Sequence, residues 1–168
     1  VPPDRHFEVA HAFLEAGVHV LVEKPVTETV AQAESLIKLA AAKQRLFQVG
    51  HLERFNPAVI ALREKVISPR SIDAQRFAAY KARGTEVDVV LDLMIHDIDI
   101  VLSLVDSELI KISSSGRAVV TSDIDIAHAR LEFADGCVAK LAASRVRQDQ
   151  VRAMTIRQAH SYISVEYI

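Results

Sequence analysis

Asp92 and His96 are the residues with the clearest chemical potential, four positions apart in an otherwise apolar stretch. If that stretch is a helix, the two side chains lie one turn apart on the same face. A carboxylate beside an imidazole can orient the ring and keep it ready to accept or return a proton near neutral pH. The spacing indicates general acid–base chemistry, and a partly buried histidine with a structural hydrogen bond is the alternative. A metal site is less favoured, because two ligands on one turn still need a third.

A second polar group, Glu23-Lys24-Pro25, directly follows a short apolar run at residues 18–22. Such a run indicates a buried strand, and open α/β sheets bind their ligands at the carboxyl ends of the strands. Lys24 at that position can donate a charge-assisted hydrogen bond to a substrate hydroxyl. The alternative is a solvated pair of loop charges.

A third polar segment follows the apolar run at residues 46–50 and leads into a predicted helix. In this segment Arg54 can bind a phosphate or a carboxylate, and Asn56 has the residue type of a helix N-cap. A connecting loop whose polar groups only satisfy the backbone is the alternative. Arg83, in a loop before a later predicted helix, is open to the same two interpretations.

The elements that must position these residues change in character near residue 51. Before that point the pattern predicts a helix capped by Asp4 and closed by Gly17, followed by a strand, a helix and a strand. The last three elements are predicted at residues 18–22, 27–43 and 46–50. Alternating helices and strands with short connections are typical of crossover units in a parallel sheet.

Beyond residue 51 the sequence is mostly strand. Helices are predicted at residues 56–66 and 87–105, and strands at 71–80, 109–116, 123–133, 138–146, 152–158 and from 162 onward. The hairpin turn Ala134-Asp135-Gly136 indicates an antiparallel sheet. Within residues 124–131 the alternation is imperfect, so it does not decide which face is buried.

The composition argues against several classes of protein. Lys and Arg number 20 against 22 Asp and Glu, and the formal net charge of -2 gives no global attraction to nucleic acid or an anionic membrane. No run approaches the ~20 apolar residues of a membrane-spanning helix. The single cysteine, Cys137, is expected to be a small buried hydrophobe, and this usage suits a reducing cytoplasm. Arg145, Arg147 and Arg152 are interpreted as a solvated strand edge.

Taken in order, three motifs resemble those of the glucose-fructose oxidoreductase, inositol dehydrogenase and MocA (Gfo/Idh/MocA) family. They are the strand ending in Glu23-Lys24-Pro25, the segment Gly50-His51-Leu52-Glu53-Arg54-Phe55-Asn56-Pro57, and Asp92 with His96-Asp97-Ile98-Asp99. The resemblance implies an α/β enzyme: residues 1–50 would end a Rossmann-type parallel domain for NAD or NADP. Residues 51–168 would form most of an α+β catalytic domain whose open, mainly antiparallel sheet joins copies in a homo-oligomer.

The resemblance also implies roles for individual residues. Lys24 would hydrogen-bond the reacting hydroxyl, His96 would accept or donate its proton, and Asp92 would lie beside it. Glu23, Lys24, Pro25 and His51 would face the cofactor. The substrate, a sugar or a nucleotide sugar such as UDP-N-acetylglucosamine oxidised at its 3-hydroxyl, would contact Arg54, Asn56, Arg83, Asp92 and His96.

One expected motif is missing from the sequence. No Gly-x-Gly-x-x-Gly loop occurs in it, although binding of a dinucleotide pyrophosphate relies on such a loop. The chain also begins without a methionine and ends within an alternating run, so we expect it to be cut from something longer at both ends. Because the loop is missing, we expect the chain by itself to bind NAD weakly or not at all, and to be inactive alone. A non-catalytic binding or assembly relative and a nicotinamide-dependent glycosidase are the alternatives to a dehydrogenase.

Overall fold

The computed structural model describes residues 1–81 and 87–167. The chain divides into two compact units, Val1–His51 and Leu52–Ile168. Each unit has its own cluster of buried apolar side chains. Among the described residues, no helix is both long enough and apolar enough to cross a membrane.

The first unit is a helix–strand–helix–strand arrangement. Its elements are α1 (His6–Glu15), β1 (Val20–Glu23), α2 (Val30–Lys43) and β2 (Phe47–Gly50). The two strands are parallel, as predicted, with Glu23 opposite Gly50 at their carboxyl ends. Ala10 and Leu14 of α1 pack with Leu36 and Ala40 of α2.

Local signals set the helix boundaries of this unit. Thr29 caps α2 in a reciprocal capping box with Gln32, and Gly17 follows α1 with a φ of 76° that suits glycine. The predicted Asp4 cap is wrong, because Asp4 lies within a short 3₁₀ turn, Pro3–Arg5, and Arg5 occupies the position before α1. The strand β1 is only partly buried among the described residues: Val22 is buried, whereas Leu21 is 67% exposed.

The described residues of the second unit combine two α-helices with one sheet. The helices are α3 (Pro57–Lys65) and α4 (Ile95–Leu104); the strands are β3 (Ser71–Phe77), β4 (Leu109–Arg117), β5 (Ile126–Phe133), β6 (Val138–Ser144), β7 (Val151–Arg157) and β8 (Tyr162–Glu166). The six strands lie in the order β4-β5-β6-β3-β7-β8. Only β3 and β6 are parallel neighbours, and the other described pairs are antiparallel. This arrangement confirms the predicted open, mainly antiparallel sheet.

One face of the sheet carries the core of the second unit. Side chains such as Ile72, Leu141 and Ile156 pack with Val59 of α3 and Ile100 of α4. In β5 the odd-numbered residues point to this face, which settles the alternation that the sequence left open. The hairpin at Gly136 forms as predicted, with a φ of 87°. Cys137, just beyond it, is buried as expected.

The predicted long helix at residues 87–105 is not a uniform α-helix. A π-helical segment, Val90–Met94, precedes α4. The amide of Ile95 reaches back to the carbonyl of Val90, five residues earlier, instead of the four of an α-helix. Single wide turns of this kind are rare and occur frequently at functional sites.

Candidate functional site

The carboxyl ends of the two parallel strands bring Glu23 and Gly50 together in the first unit. A Cβ atom at Gly50 would lie only 3.0 Å from the Glu23 carboxylate. Any larger residue at position 50 would therefore displace Glu23, and glycine permits the carboxylate to lie against the end of β2. Lys24 follows in a half-buried position, and Pro25, joined to it by a cis peptide bond, is buried.

The turn that holds Lys24 is fixed from α1. The buried His6 donates from Nδ1 to the carbonyl oxygen of Pro25 at 2.7 Å, so that nitrogen must carry the proton. His51 comes directly after β2, and its side-chain Nδ1 is buried. Four residues expected to face a cofactor, Glu23, Lys24, Pro25 and His51, thus lie at one edge of the two-stranded sheet.

The helical stretch of the second unit carries Asp92 and His96 on either side of the change from π to α geometry. Asp88 begins this stretch by accepting hydrogen bonds on Oδ1 from the amides of Val90 and Leu91, at 2.9 and 3.0 Å. Asp92 lies in the π-helical segment and His96 in the first turn of α4. Both side chains are half-buried, and Nδ1 of His96 is buried.

Arg54 is held by a carboxylate of α4. Its Nε and Nη2 each donate to a different oxygen of Asp99 at 2.6 Å. The hydrogen bonds to Asp99 raise the pKa of the Arg54 guanidinium, and partial burial opposes that rise. Asn56, predicted both as a cap and as a substrate ligand, accepts from the amide of Ala58 at 3.0 Å and so caps α3. Its substrate role stays a prediction.

A buried network that the sequence did not reveal lies beneath α4. Arg76 of β3 donates to both oxygens of Asp97, at 3.0 Å from Nε and 2.8 Å from Nη2, and its Nη2 also lies 3.5 Å from Glu53. Burial alone would lower the pKa of Arg76, but the hydrogen bonds to Asp97 raise it overall. One signal in the sequence could have revealed this network: Arg76 lies two residues after Ala74 and four after Ile72, and therefore on the same buried face of β3.

The interpretation of Arg145 as part of a solvated edge is wrong. Arg145 is buried and donates from Nε to the buried Asp125 at 2.8 Å. It also donates from Nη1 to the carbonyl of Val87, just before the helical stretch that carries Asp92. Arg147, in contrast, is exposed and pairs with Asp149. Arg83 lies outside the described residues.

Comparisons with known proteins bear on both units. Residues 1–51 match the oxidoreductase family with an NAD-binding Rossmann fold, and residues 65–159 match the Gfo/Idh/MocA C-terminal domain. The second match covers more than half of the chain. The chain belongs to the Gfo/Idh/MocA family of oxidoreductases. The family predicted from the sequence motifs is confirmed, and so is the fold class.

Several relatives show how the chain compares with other Gfo/Idh/MocA proteins. UDP-N-acetylglucosamine 3-dehydrogenase of Acidithiobacillus ferrooxidans is 39% identical over 99% of this chain and 54% of its own length. Its solved structure superimposes with a TM-score of 0.93, covering 55% of that protein. Myo-inositol dehydrogenase Hyg17 of Streptomyces leeuwenhoekii is 28% identical over 83% of the chain and 48% of its own length. The chain thus spans about half the length of the curated relatives it matches.

Proposed function

We propose that this chain is part of an NAD(P)-dependent dehydrogenase that oxidises a hydroxyl carbon of a sugar or nucleotide sugar. The observation that carries the proposal is the helical stretch with Asp92 and His96 across a π-to-α transition. Irregular helical turns of this kind are frequent at functional sites. The family match supplies the chemical class, since it is a family of oxidoreductases with an NAD-binding domain.

The residues at the strand ends of the first unit fit the nicotinamide end of a dinucleotide. Gly50 leaves room for the Glu23 carboxylate. Lys24, the next residue in the sequence, adds an ammonium group. We assign Glu23, Lys24, Pro25 and His51 to the cofactor. When bound, the nicotinamide supplies the acceptor for the hydride.

The protein's own residues handle the proton. We assign to Lys24 a charge-assisted hydrogen bond to the oxygen of the reacting hydroxyl, which favours the developing negative charge. His96 accepts the hydroxyl proton, and we assign that step to Nε2 because Nδ1 is buried. Asp92 favours the protonated imidazole that results. The hydrogen on the carbinol carbon then leaves as hydride with the electron pair of the C–H bond, and the product is a carbonyl compound.

We propose UDP-N-acetylglucosamine as the substrate, oxidised at its 3-hydroxyl. The relative that carries this activity in its name is 39% identical across nearly all of the chain. A nucleotide sugar also brings a diphosphate, and arginine is well suited to bind phosphate oxygens. Arg54 is 43% exposed at its side chain while Asp99 holds it in place. We assign Arg54, Asn56 and Arg83, with Asp92 and His96, to the substrate.

We further assign residues 1–50 to the end of the NAD(P)-binding domain and residues 51–168 to the catalytic domain, in a cytoplasmic homo-oligomer. The outward face of the six-stranded sheet is proposed to join the copies. In support of this, Gln75, His128 and Ala142 lie side by side on that face in a shallow concavity. An Ala142→Arg variant is expected to lower the mass of the assembly in sedimentation, and an unchanged mass would contradict the interface.

The dehydrogenase proposal is tested with the full-length protein, NAD or NADP, and a panel of UDP-sugars and free polyols. We expect lasting reduction of the cofactor with UDP-N-acetylglucosamine, and a product lighter by the two hydrogen atoms removed. Release of a free sugar without net reduction of the cofactor would indicate a glycosidase. Binding of cofactor or sugar without turnover of any substrate would favour a non-catalytic relative.

A further inference from the structure

Asp97, the residue after His96, is held by two side chains from outside its helix. Arg76 of β3 donates two hydrogen bonds to its carboxylate, and Tyr167 donates a third from its hydroxyl at 2.9 Å to Oδ1. Asp97 is only 1% exposed and Arg76 only 3%. A carboxylate this deeply buried is stable only when it is paired and hydrogen-bonded, so the three contacts act as one arrangement.

Tyr167 belongs to this arrangement through its ring as well as its hydroxyl. The guanidinium carbon of Arg76 lies 5.5 Å from the centre of the ring, which is the range of a cation–π contact. The amide of Tyr167 donates to the carbonyl of Arg152 at 3.0 Å, which fixes the tyrosine against β7. The position of Asp97 is therefore set by β3 and by the segment that follows β8.

A second ion pair holds the same helix at Asp99, where Arg54 donates two hydrogen bonds at 2.6 Å. Successive residues of an α-helix are separated by about 100° around its axis. The ion pairs at Asp97 and Asp99 therefore hold α4 on two different sides and resist its rotation about its axis. His96 is adjacent to the first of these pairs, so any rotation that moves Asp97 also moves the imidazole.

We propose that Arg76 and Tyr167 are positioning residues that set the orientation of His96 by fixing Asp97. The proposal rests on the proposed function, in which His96 accepts the substrate proton. Proton transfer requires the acceptor nitrogen within hydrogen-bond reach of the hydroxyl. A small rotation of α4 therefore reduces the rate of the chemical step without removing any group that binds substrate.

The experiment uses the full-length protein with Tyr167→Phe and Arg76→Lys. The first removes one hydrogen bond and keeps the ring, and the second keeps the charge and removes the fork geometry. Ile156→Val, in the buried face of β7, and Arg147→Lys, at an exposed ion pair, are the controls. The side-chain NMR signals of the histidines are recorded with labelled imidazole nitrogens, and the His96 signal is identified as the one missing from His96→Gln. The values of kcat and KM are measured on the same samples.

We expect both variants to shift the His96 signal and to lower kcat by roughly ten- to a hundredfold, with KM within about twofold of the wild-type value. The controls should change neither. If the wild type is active and the two variants leave either the His96 signal or kcat unchanged, the proposal is overturned. It is also overturned if the control Ile156→Val lowers kcat as much as the two variants do. If the signal shifts but the wild type transfers no hydride, the placement of His96 is supported and the proposed function fails. If Arg76→Lys does not fold, Tyr167→Phe by itself still tests the proposal.

Discussion

Asp125 and Arg145 form a buried ion pair at 2.8 Å that connects three parts of the second unit. Oδ2 of Asp125 accepts hydrogen bonds from the amides of Val119, Val120 and Thr121, in the loop between β4 and β5. Arg145 follows β6 and donates to the carbonyl of Val87 at 2.6 Å. The pair therefore fixes both the loop and the start of the helical stretch that carries Asp92.

Breaking this pair should destabilise the protein strongly. We expect Asp125→Ala to lower the free energy of unfolding by about 3 to 5 kcal/mol, because it leaves a buried guanidinium without its carboxylate. Urea denaturation of the full-length protein measures the change. Asp149→Ala, which breaks the exposed pair with Arg147, is the matched control and should cost at most about 1 kcal/mol. Equal losses in the two variants would contradict the structural role of Asp125.

The same pair predicts how stability depends on pH. Burial alone would raise the pKa of Asp125, but the backbone amides and Arg145 lower it well below its usual range. A carboxyl with a lowered folded-state pKa contributes stability above its unfolded pKa, which is about 3.9 for aspartate, and loses it as the pH falls through the folded value. The stability difference between wild type and Asp125→Asn should be full above about pH 5 and shrink below about pH 4. A difference that stays constant down to about pH 2 would contradict this assignment.

The fold was largely predictable because local patterns specify it. The capping residue Asn56, the hairpin glycine Gly136 and the short apolar strands all act through their immediate neighbours. Asp125 and Arg145 were missed because their partners lie 20 residues apart and meet only when the sheet forms. A charged side chain on a strand has the same local pattern whether it faces solvent or a buried partner.

Cys137 should be unreactive in the folded protein. Burial, with a smaller contribution from Asp135, raises the pKa of its thiol to about 11. Since the thiolate is the reactive form, little of it exists near neutral pH. Mass spectrometry should find no alkylation of Cys137 by iodoacetamide at pH 7.5 in the folded state, and complete alkylation in denaturant. Fast alkylation of the folded protein would show that the thiol is accessible.

Asp99 should determine how well Arg54 binds substrate. The Asp99→Asn variant keeps the size of the side chain and removes the charge that holds the guanidinium. We expect KM for a nucleotide sugar to rise roughly tenfold, which corresponds to about 1.4 kcal/mol of lost binding, and kcat to fall less, because the ion pair at Asp97 still holds α4. Steady-state kinetics gives both constants. A fall in kcat with no rise in KM would place Asp99 in the chemical step instead.

The residue types of the candidate site were predictable from the sequence, but the helical geometry and the buried side chains that hold those residues in position were not. Lys24, Asp92 and His96 stand out because charged residues interrupt apolar runs at strand ends or on a helix. The π-helical turn at Val90–Met94 has no equivalent signal, since the apolar pattern of residues 87–105 fits a continuous α-helix. Arg76 was missed for the same reason as Arg145: its partners come from other elements.

The most direct test of the central claim is the rate of hydride transfer by Lys24→Ala and His96→Ala in the full-length protein. Lys38→Ala, on the exposed side of α2, and His160→Ala, in the turn after β7, are matched controls. Removing a group that assists proton transfer should lower kcat by roughly 10²- to 10⁴-fold in each variant, while the controls keep the wild-type rate. Variants of Lys24 and His96 that fold normally and retain the wild-type rate would contradict the assignment of both residues to the reaction.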